Sequence, residues 1–231
     1  MGQAVQGCRK THGGKEVKLL DLFCGAGGAA RGYQNAGFHV TGVDYKQQRR
    51  YAGDMFIYAD AYEWVIRNAS SFDVIHASPP CQRYSPLAGR TGRGYPDSIA
   101  RTREILQCTG KPWVIENVPD APLIDPIVLC GTHFDLCAVA DGQTRWLRRH
   151  RHFESSLTLH QPTLGCYCDE LPIGGVYGDG GGGQQGRGFK FTSEQAREAM
   201  EIDWMTRREL SQAVPPAYTT FIGFQLKRML S

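Results

Sequence analysis

Along the first two thirds of the chain, apolar residues gather in short, nearly unbroken runs. VKLLDLF (17–23), FHVTGVD (38–44), FDVIHAS (72–78) and PWVIENV (112–118) are too short for helices and too continuously apolar for strands with one wet face. Two intervening stretches, AARGYQNAG (29–37) and SIARTREILQ (98–107), have helical character, and Gly37 supplies a stop signal for the first. Buried strands alternating with helices predict an α/β fold with a parallel sheet.

The pattern changes after Glu154. Residues 155–190 contain GGVYGDGGGGQQGRG and show little periodicity, so a long loop or small insertion is expected there. Helical signals return at 191–231, where Thr192 with Gln195 and Thr206 with Glu209 have capping-box spacing. Pro215-Pro216 then opens an apolar terminal helix. The organisation expected is a loose tail (1–16), a catalytic and cofactor-binding domain (17–154), a small glycine-rich segment (155–190) and helices completing the domain (191–231).

Composition narrows the setting. The chain has 231 residues, 41% of them hydrophobic, enough for one real core. A net charge of +3 says little, but the arginines cluster: Arg83, Arg90, Arg93, Arg101 and Arg103 in one group, Arg145, Arg148, Arg149 and Arg151 in another. Such clusters are candidate phosphate-facing surfaces. The polar N-terminus has no apolar signal core, and no run is long enough to span a membrane. The expectation is a cytoplasmic protein, with its eight cysteines reduced.

The first candidate chemistry is the loop LLDLFCGAGGAARGY. Gly25, Gly27 and Gly28 follow a strand and open a helix, where a backbone can approach a ligand closely. Asp44 ends the next strand, 23 residues after Asp21, a spacing suited to ribose hydroxyls. The glycine order is neither G-x-G-x-x-G nor that of a phosphate loop. S-adenosyl-L-methionine fits better than a dinucleotide, with Asp44 and Asp60 for its adenosine and the glycines for its methionine end.

The second is HASPPCQRYS (76–85). Pro79-Pro80 stiffens the backbone immediately before Cys81. With a methyl donor nearby, a rigidly mounted thiol suits cytosine carbon 5, a poor nucleophile until a thiolate adds at carbon 6. Glu116 in ENV (116–118) could protonate ring nitrogen 3 as the thiolate adds. Arg149 and Arg151 alternate in RRHRHFE, so both can face one side of a strand, where one could hold the base oxygen or orient the thiol.

In this order, DLFCGAGG, SPPCQ, ENV, RHR and QAVPP resemble the DNA (cytosine-5) methyltransferase family over about 15–153 and 192–225. The resemblance implies a Rossmann-like S-adenosylmethionine-dependent methyltransferase sheet with a very small target-recognition insertion. It implies Phe23 stacking on adenine, Asp44 on the ribose and Asp60 at the adenine amino group, with Pro79 also at the cofactor. Cys81 is then the nucleophile, Glu116 the proton donor, and Arg149 and Arg151 pocket residues. SQAVPP, with Gln212 and Val214, would close over the cofactor. The family flips its target base, so 82–96 would close over it, with Arg83, Ser85, Arg90, Arg93 and Arg101 meeting double-stranded DNA.

The chain departs from the family where Ser211-Gln212 replaces Gly-Asn and where DWMTRREL lacks Gln-Gly-Phe-Pro. The small recognition segment predicts a short or relaxed target site, or recognition shared with a partner, by a monomer resembling phage-carried enzymes that mask DNA from restriction. Rival readings are a transfer RNA cytosine methyltransferase, whose expected Cys-Phe-Thr is absent, and a non-catalytic DNA-binding relative. No metal is expected. Cys166 and Cys168 with His160 could hold zinc, but C-x-C spacing favours free thiols, while Cys130, His133 and Cys137 read as core.

Overall fold

The structure, a computed structural model, describes residues 16–80, 98–178, 182–185 and 188–230. The expectations placed on the N-terminal tail and on Cys81, Arg83, Ser85, Arg90 and Arg93 therefore lie outside the described residues.

The four apolar runs are strands β1 (Lys18–Leu22), β2 (His39–Asp44), β4 (Val74–Ala77) and β5 (Trp113–Asn117). A fifth parallel strand, β3 (Met55–Tyr58), pairs on the outer side of β2. Strands β9 (Arg151–Ser155) and β6 (Ile127–Leu129) complete a seven-stranded sheet in the order β3-β2-β1-β4-β5-β9-β6. β9 runs antiparallel to both its neighbours and the rest of the sheet is parallel. Because β1 lies between β2 and β4, chain order reverses there. Ligands of open α/β sheets bind outside the carboxyl ends of the strands at such a reversal.

Helices cover both faces, which is why β1, β4 and β5 are buried almost throughout. α1 (Gly28–Asn35) and the terminal α6 (Pro216–Leu230) pack on one side, α2 (Ala61–Asn68) and α3 (Ser98–Cys108) on the other. α1 and α6 touch almost backbone to backbone. Thr219 Oγ1 donates to the Ala29 carbonyl at 2.9 Å and Thr220 Oγ1 to the Gly32 carbonyl at 3.1 Å. Both capping boxes form, at the starts of α4 (Ser193–Met200) and α5 (Arg207–Gln212).

The expected irregular segment differs from the reading of its sequence. Residues 155–190 contribute β10 (Ile173–Gly175), β11 (Gly183–Gln185) and β12 (Gly188–Lys190), which join β7 (Cys137–Ala140) and β8 (Gln143–Leu147) in a five-stranded sheet, β11-β12-β10-β8-β7. Strands of three residues, rich in glycine, carry no side-chain alternation to read. The glycines are there for proximity: a Cβ on Gly174 would sit 2.3 Å from the Phe191 ring.

Gly32→Ala is expected to lower unfolding free energy by about 1–3 kcal/mol in denaturant titration. An added Cβ would meet Thr219 Oγ1 at 2.0 Å and the Pro216 carbonyl at 2.1 Å. An unchanged midpoint would show that the α1–α6 contact is slack.

Candidate active site

A cavity of about 320 Å³ opens at the carboxyl ends of the central strands. Its walls are the loop after β1 (Asp21 to Ala29), the residues after β2 (Asp44 to Gln48), Ser78-Pro79-Pro80 after β4, the end of β5 (Glu116 to Val118), Arg151 and the strap before α6 (Ser211 to Val214). Of the residues expected at a cofactor, Phe23, Gly25, Gly28, Asp44, Pro79, Gln212 and Val214 all face this space.

The loop after β1 is tightly constrained. Phe23 has φ 59°, Gly25 φ 49° and Gly27 φ 83°, all in the left-handed region. For a bulky side chain that conformation is rare and persists only where its surroundings enforce it. Phe23 packs edge-on against Tyr62 at 5.2 Å, and Asp44 Oδ2 accepts from the Gly25 amide at 3.0 Å. The Trp204 indole donates to the Ala26 carbonyl at 2.9 Å. Gly28 lies against the strap, where a Cβ would come within 2.4 Å of the Val214 carbonyl. Gly27 does not line the cavity; its positive φ starts α1.

Asp44 also accepts from the Lys46 amide, at 2.8 Å, and a carboxylate retains acceptor capacity beyond two such bonds. Asp60 serves a helix end instead. Its Oδ1 caps α2 by accepting from the amides of Tyr62 and Glu63, and it is not among the cavity-lining residues. The residue that sequence reasoning missed is Asp21. It is fully buried on β1, its two carboxylate oxygens have no hydrogen-bond partner among the described residues, and it lines the cavity. Burial holds its pKa well above the usual carboxylate range, and the charges of Asp44 and Glu116 push it further. An acid interrupting LLDLF was the available signal.

At the other end of the cavity, Arg151 Nε lies 3.0 Å from Glu116 Oε1, both side chains mostly buried. Desolvation raises the Glu116 pKa, and Arg151, then a hydrogen bond from Ser78, oppose the rise. Ser78 continues into a buried chain: its Oγ is 2.9 Å from His76 Nε2, and His76 Nδ1 is 3.0 Å from the Tyr33 hydroxyl. The proline mount is pinned as well. Asn117 Nδ2 donates to the Pro79 carbonyl at 2.8 Å and Ser98 Oγ to the Pro80 carbonyl at 3.1 Å. The backbone leading to Cys81 is thus fixed by partners on both α3 and β5.

The two arginines expected to share a face act in different places. Arg149 precedes β9 and is not among the lining residues; it donates to the carbonyls of Val176, Ser211 and Ala213 at 2.7–3.0 Å. It ties the strap to the sheet, while Arg151 enters the cavity. Among the described members of the arginine clusters, Arg103 and Arg145 are engaged within the fold. Arg103 forms a two-pronged pair with Glu154 at 2.6 and 2.7 Å, and Arg145 stacks over Phe189 at 4.1 Å. Arg101 remains on the surface, its guanidinium 4.2 Å from the Tyr62 ring centre. The cysteines regroup too. Cys166 and Cys168 meet Cys130 and His150, while the His160 backbone bonds to the Gln225 side chain.

Burial lowers the His76 pKa to about 3, so the folded protein holds a neutral ring while the unfolded chain protonates near pH 6.5. A depressed pKa gives stability that is present above pH 6.5 and lost as pH falls toward 3. The loss amounts to about 1.4 kcal/mol per pH unit across that window. His76→Gln should remove this component. Its stability against pH, subtracted from that of the unaltered protein, isolates the histidine, and a flat difference would contradict the assignment.

A family model described as C-5 cytosine-specific DNA methylase matches residues 17–121. No curated protein matches the chain in sequence. Among solved structures, one described as a DNA modification methyltransferase encoded within an E. coli prophage superposes with TM-score 0.60 at 14% identity, covering 93% of this chain and 99% of its own. The S. pombe Dnmt2 methyltransferase gives 0.60 at 11%, covering 93% and 99%. The Entamoeba histolytica methyltransferase EhMeth gives 0.55 at 12%, covering 94% and 98%. At such identities the superpositions speak for the fold, and the family model speaks for the motifs on it. Residues 17–121 are thus similar to C-5 cytosine-specific DNA methylases, and the chain shares its fold with the three solved methyltransferases.

Proposed function

We propose that the protein methylates carbon 5 of cytosine in double-stranded DNA, with S-adenosyl-L-methionine as donor. The observation that carries this reading is the arrangement of one cavity. A strained glycine loop and the buried Asp21 carboxylate, unpartnered among the described residues, stand at one end and the Glu116–Arg151 pair at the other. The pinned Pro79-Pro80 mount of Cys81 forms part of the wall.

The residues fit the donor. Asp21 offers a buried carboxylate suited to a cationic group, Asp44 retains acceptor capacity for ribose hydroxyls, and Phe23 offers a ring for adenine. Gly25, Gly28, Pro79, Gln212 and Val214 supply close walls. Bound there, the donor supplies an electrophilic methyl group on a sulfonium. Gly27 supports this region through the turn it starts, and Asp60 through the helix it caps.

The chain's own steps follow from the chemistry of these residue types. The Cys81 thiolate adds to carbon 6 of a flipped cytosine, and Glu116 gives its proton to ring nitrogen 3. This leaves an enamine whose carbon 5 can attack a methyl group. Loss of the carbon 5 proton to solvent, return of the ring nitrogen 3 proton to Glu116 and expulsion of the thiolate restore the ring and the acid. A raised pKa keeps Glu116 protonated at higher pH than an exposed carboxyl, which is what a general acid needs. Arg151 holds that carboxyl in place without abolishing the effect of burial. Arg149 fixes the strap from behind.

DNA is favoured over transfer RNA by the description of the matching family model, and the basic residues Arg83, Arg90, Arg93 and Arg101 fit phosphate contacts, with Ser85 beside them. The small second sheet fits a short target site. A role in masking phage or host DNA from restriction accords with that size.

The decisive measurement is nucleoside mass spectrometry on duplex DNA and on transfer RNA, each incubated with the protein and S-adenosylmethionine. 5-Methylcytosine is expected in DNA, none with Cys81→Ala, and a rate about 10²–10⁴-fold lower with Glu116→Gln. Product in transfer RNA alone would overturn the DNA assignment. The rate should also fall as pH rises through the raised Glu116 pKa, a limb that Glu116→Gln lacks. DNA affinity should fall steeply with salt, and binding that is flat between low and moderate salt would remove the arginine contacts.

A further inference from the structure

The geometry points to a structural zinc site, made by Cys130, His150, Cys166 and Cys168, that fastens the segment after β9 to the catalytic sheet. The four ligand atoms all lie within 4.8 Å of one another. Cys130 Sγ is 3.3 Å from Cys168 Sγ, and His150 Nε2 is 3.3 Å from Cys166 Sγ. A tetrahedral zinc ion bound to three sulfurs and one nitrogen holds its ligand atoms roughly 3.5–3.8 Å apart, so the two short pairs would open slightly and any wider pair would close by about 1 Å at most. Three soft sulfurs and an imidazole in closed four-coordinate array select zinc over calcium or magnesium, which take oxygen.

The surroundings suit a metal centre better than a chance meeting of thiols. Cys130 is fully buried and Cys168 nearly so, while His150 is half-buried and Cys166 exposed, which leaves an entry path. Thr132 Oγ1 donates to Cys166 Sγ at 3.4 Å and accepts from the Tyr167 amide at 3.3 Å. Such outer hydrogen bonds orient thiolate ligands. None of the four residues lines the cavity described above, and all four positions of a tetrahedron are filled. The site is therefore structural, not catalytic.

What it would hold is clear from the chain. Cys130 follows β6, His150 stands between Arg149 and Arg151, and the last two ligands lie in the stretch 156–172. That stretch contains no strand or helix and is mostly exposed, Leu164 included. With little apolar area to bury, it has few other means of fixing its path. Zinc would join three distant pieces of chain at the base of the second sheet and anchor the strand that presents Arg151 to Glu116.

The test is metal analysis of the full chain, purified without chelator and again after chelation and re-addition of zinc alone. One zinc per chain is expected, with Cys130, Cys166 and Cys168 protected from alkylation and exposed Cys108 reactive throughout. Cobalt(II) in place of zinc should give the absorption of a tetrahedral thiolate complex. His150→Ala should lower the retained zinc at least tenfold. His150→Cys should restore it, and Cys108→Ser should leave it unchanged. Because cobalt binding is read on the unaltered protein, a variant that fails to fold does not decide the matter. Less than a tenth of an equivalent of zinc after re-addition, no tetrahedral cobalt spectrum, iron in zinc's place, or a Cys130–Cys168 disulfide in freshly isolated protein would each overturn the proposal. None of these readouts depends on methyl transfer.

Discussion

The site depends on one close approach, that of α1 to α6. The cavity is built from residues near the start of the chain, Asp21 to Ala29, and others near its end, Ser211 to Val214. Nothing local brings them together. They meet because Gly32 has no side chain, so the carbonyls of α1 come within reach of Thr219 and Thr220 on α6. The strap that precedes α6 is then delivered against Gly28. Arg149 completes the join from the opposite side, satisfying the Ser211 and Ala213 carbonyls left open where α5 ends. The cofactor end of the cavity is therefore a product of helix packing as much as of its own loop.

The other end obeys a different constraint. A carboxyl sealed from water resists ionising, yet a buried acid needs partners to be tolerated at all. Glu116 meets both conditions because its partners are few and fixed: Arg151 on β9 beside it and Ser78 at the end of β4. The antiparallel β9 places Arg151 one step beyond the Asn117↔His152 pair and so near the end of β5. His76, forced neutral by burial, holds Ser78 in turn, and the same β4 segment runs on into the pinned prolines.

The central sheet was legible because both faces of β1, β2, β4 and β5 are covered, which leaves continuous apolar runs in the sequence. The capping boxes at Thr192 and Thr206 were legible because their signal is local. β3 was not, since MFIY is a short edge strand with Met55 and Tyr58 exposed. Of the chemistry, Glu116 and the glycine loop announced themselves through motif spacing. The hold of Arg149 on the strap could not be read, because alternation along a strand says nothing of a residue that stands before it. The capping role of Asp60 could have been read, since its position two and three residues before Tyr62 and Glu63 suits a cap. The meeting of Cys130 with Cys168, 38 residues away, needed the fold.

The second sheet has a consequence for how such a protein can diversify. Its strands come from both sides of β9: β7 and β8 before it, β10 to β12 after it. β10 pairs directly with β8, and Arg145 of β8 stacks on Phe189 of β12. A sheet woven in this way is not a cassette that can be exchanged at a single junction. A graft cut at residue 155 would leave β8 with a bare edge and Arg145 without the Phe189 ring. The unit that evolution or an engineer could replace whole would have to begin before Cys137, carry β9 along, and end only after Phe191, so the strand bearing Arg151 would travel with it. Change in the small sheet is then more easily made by substitution within it than by swapping it.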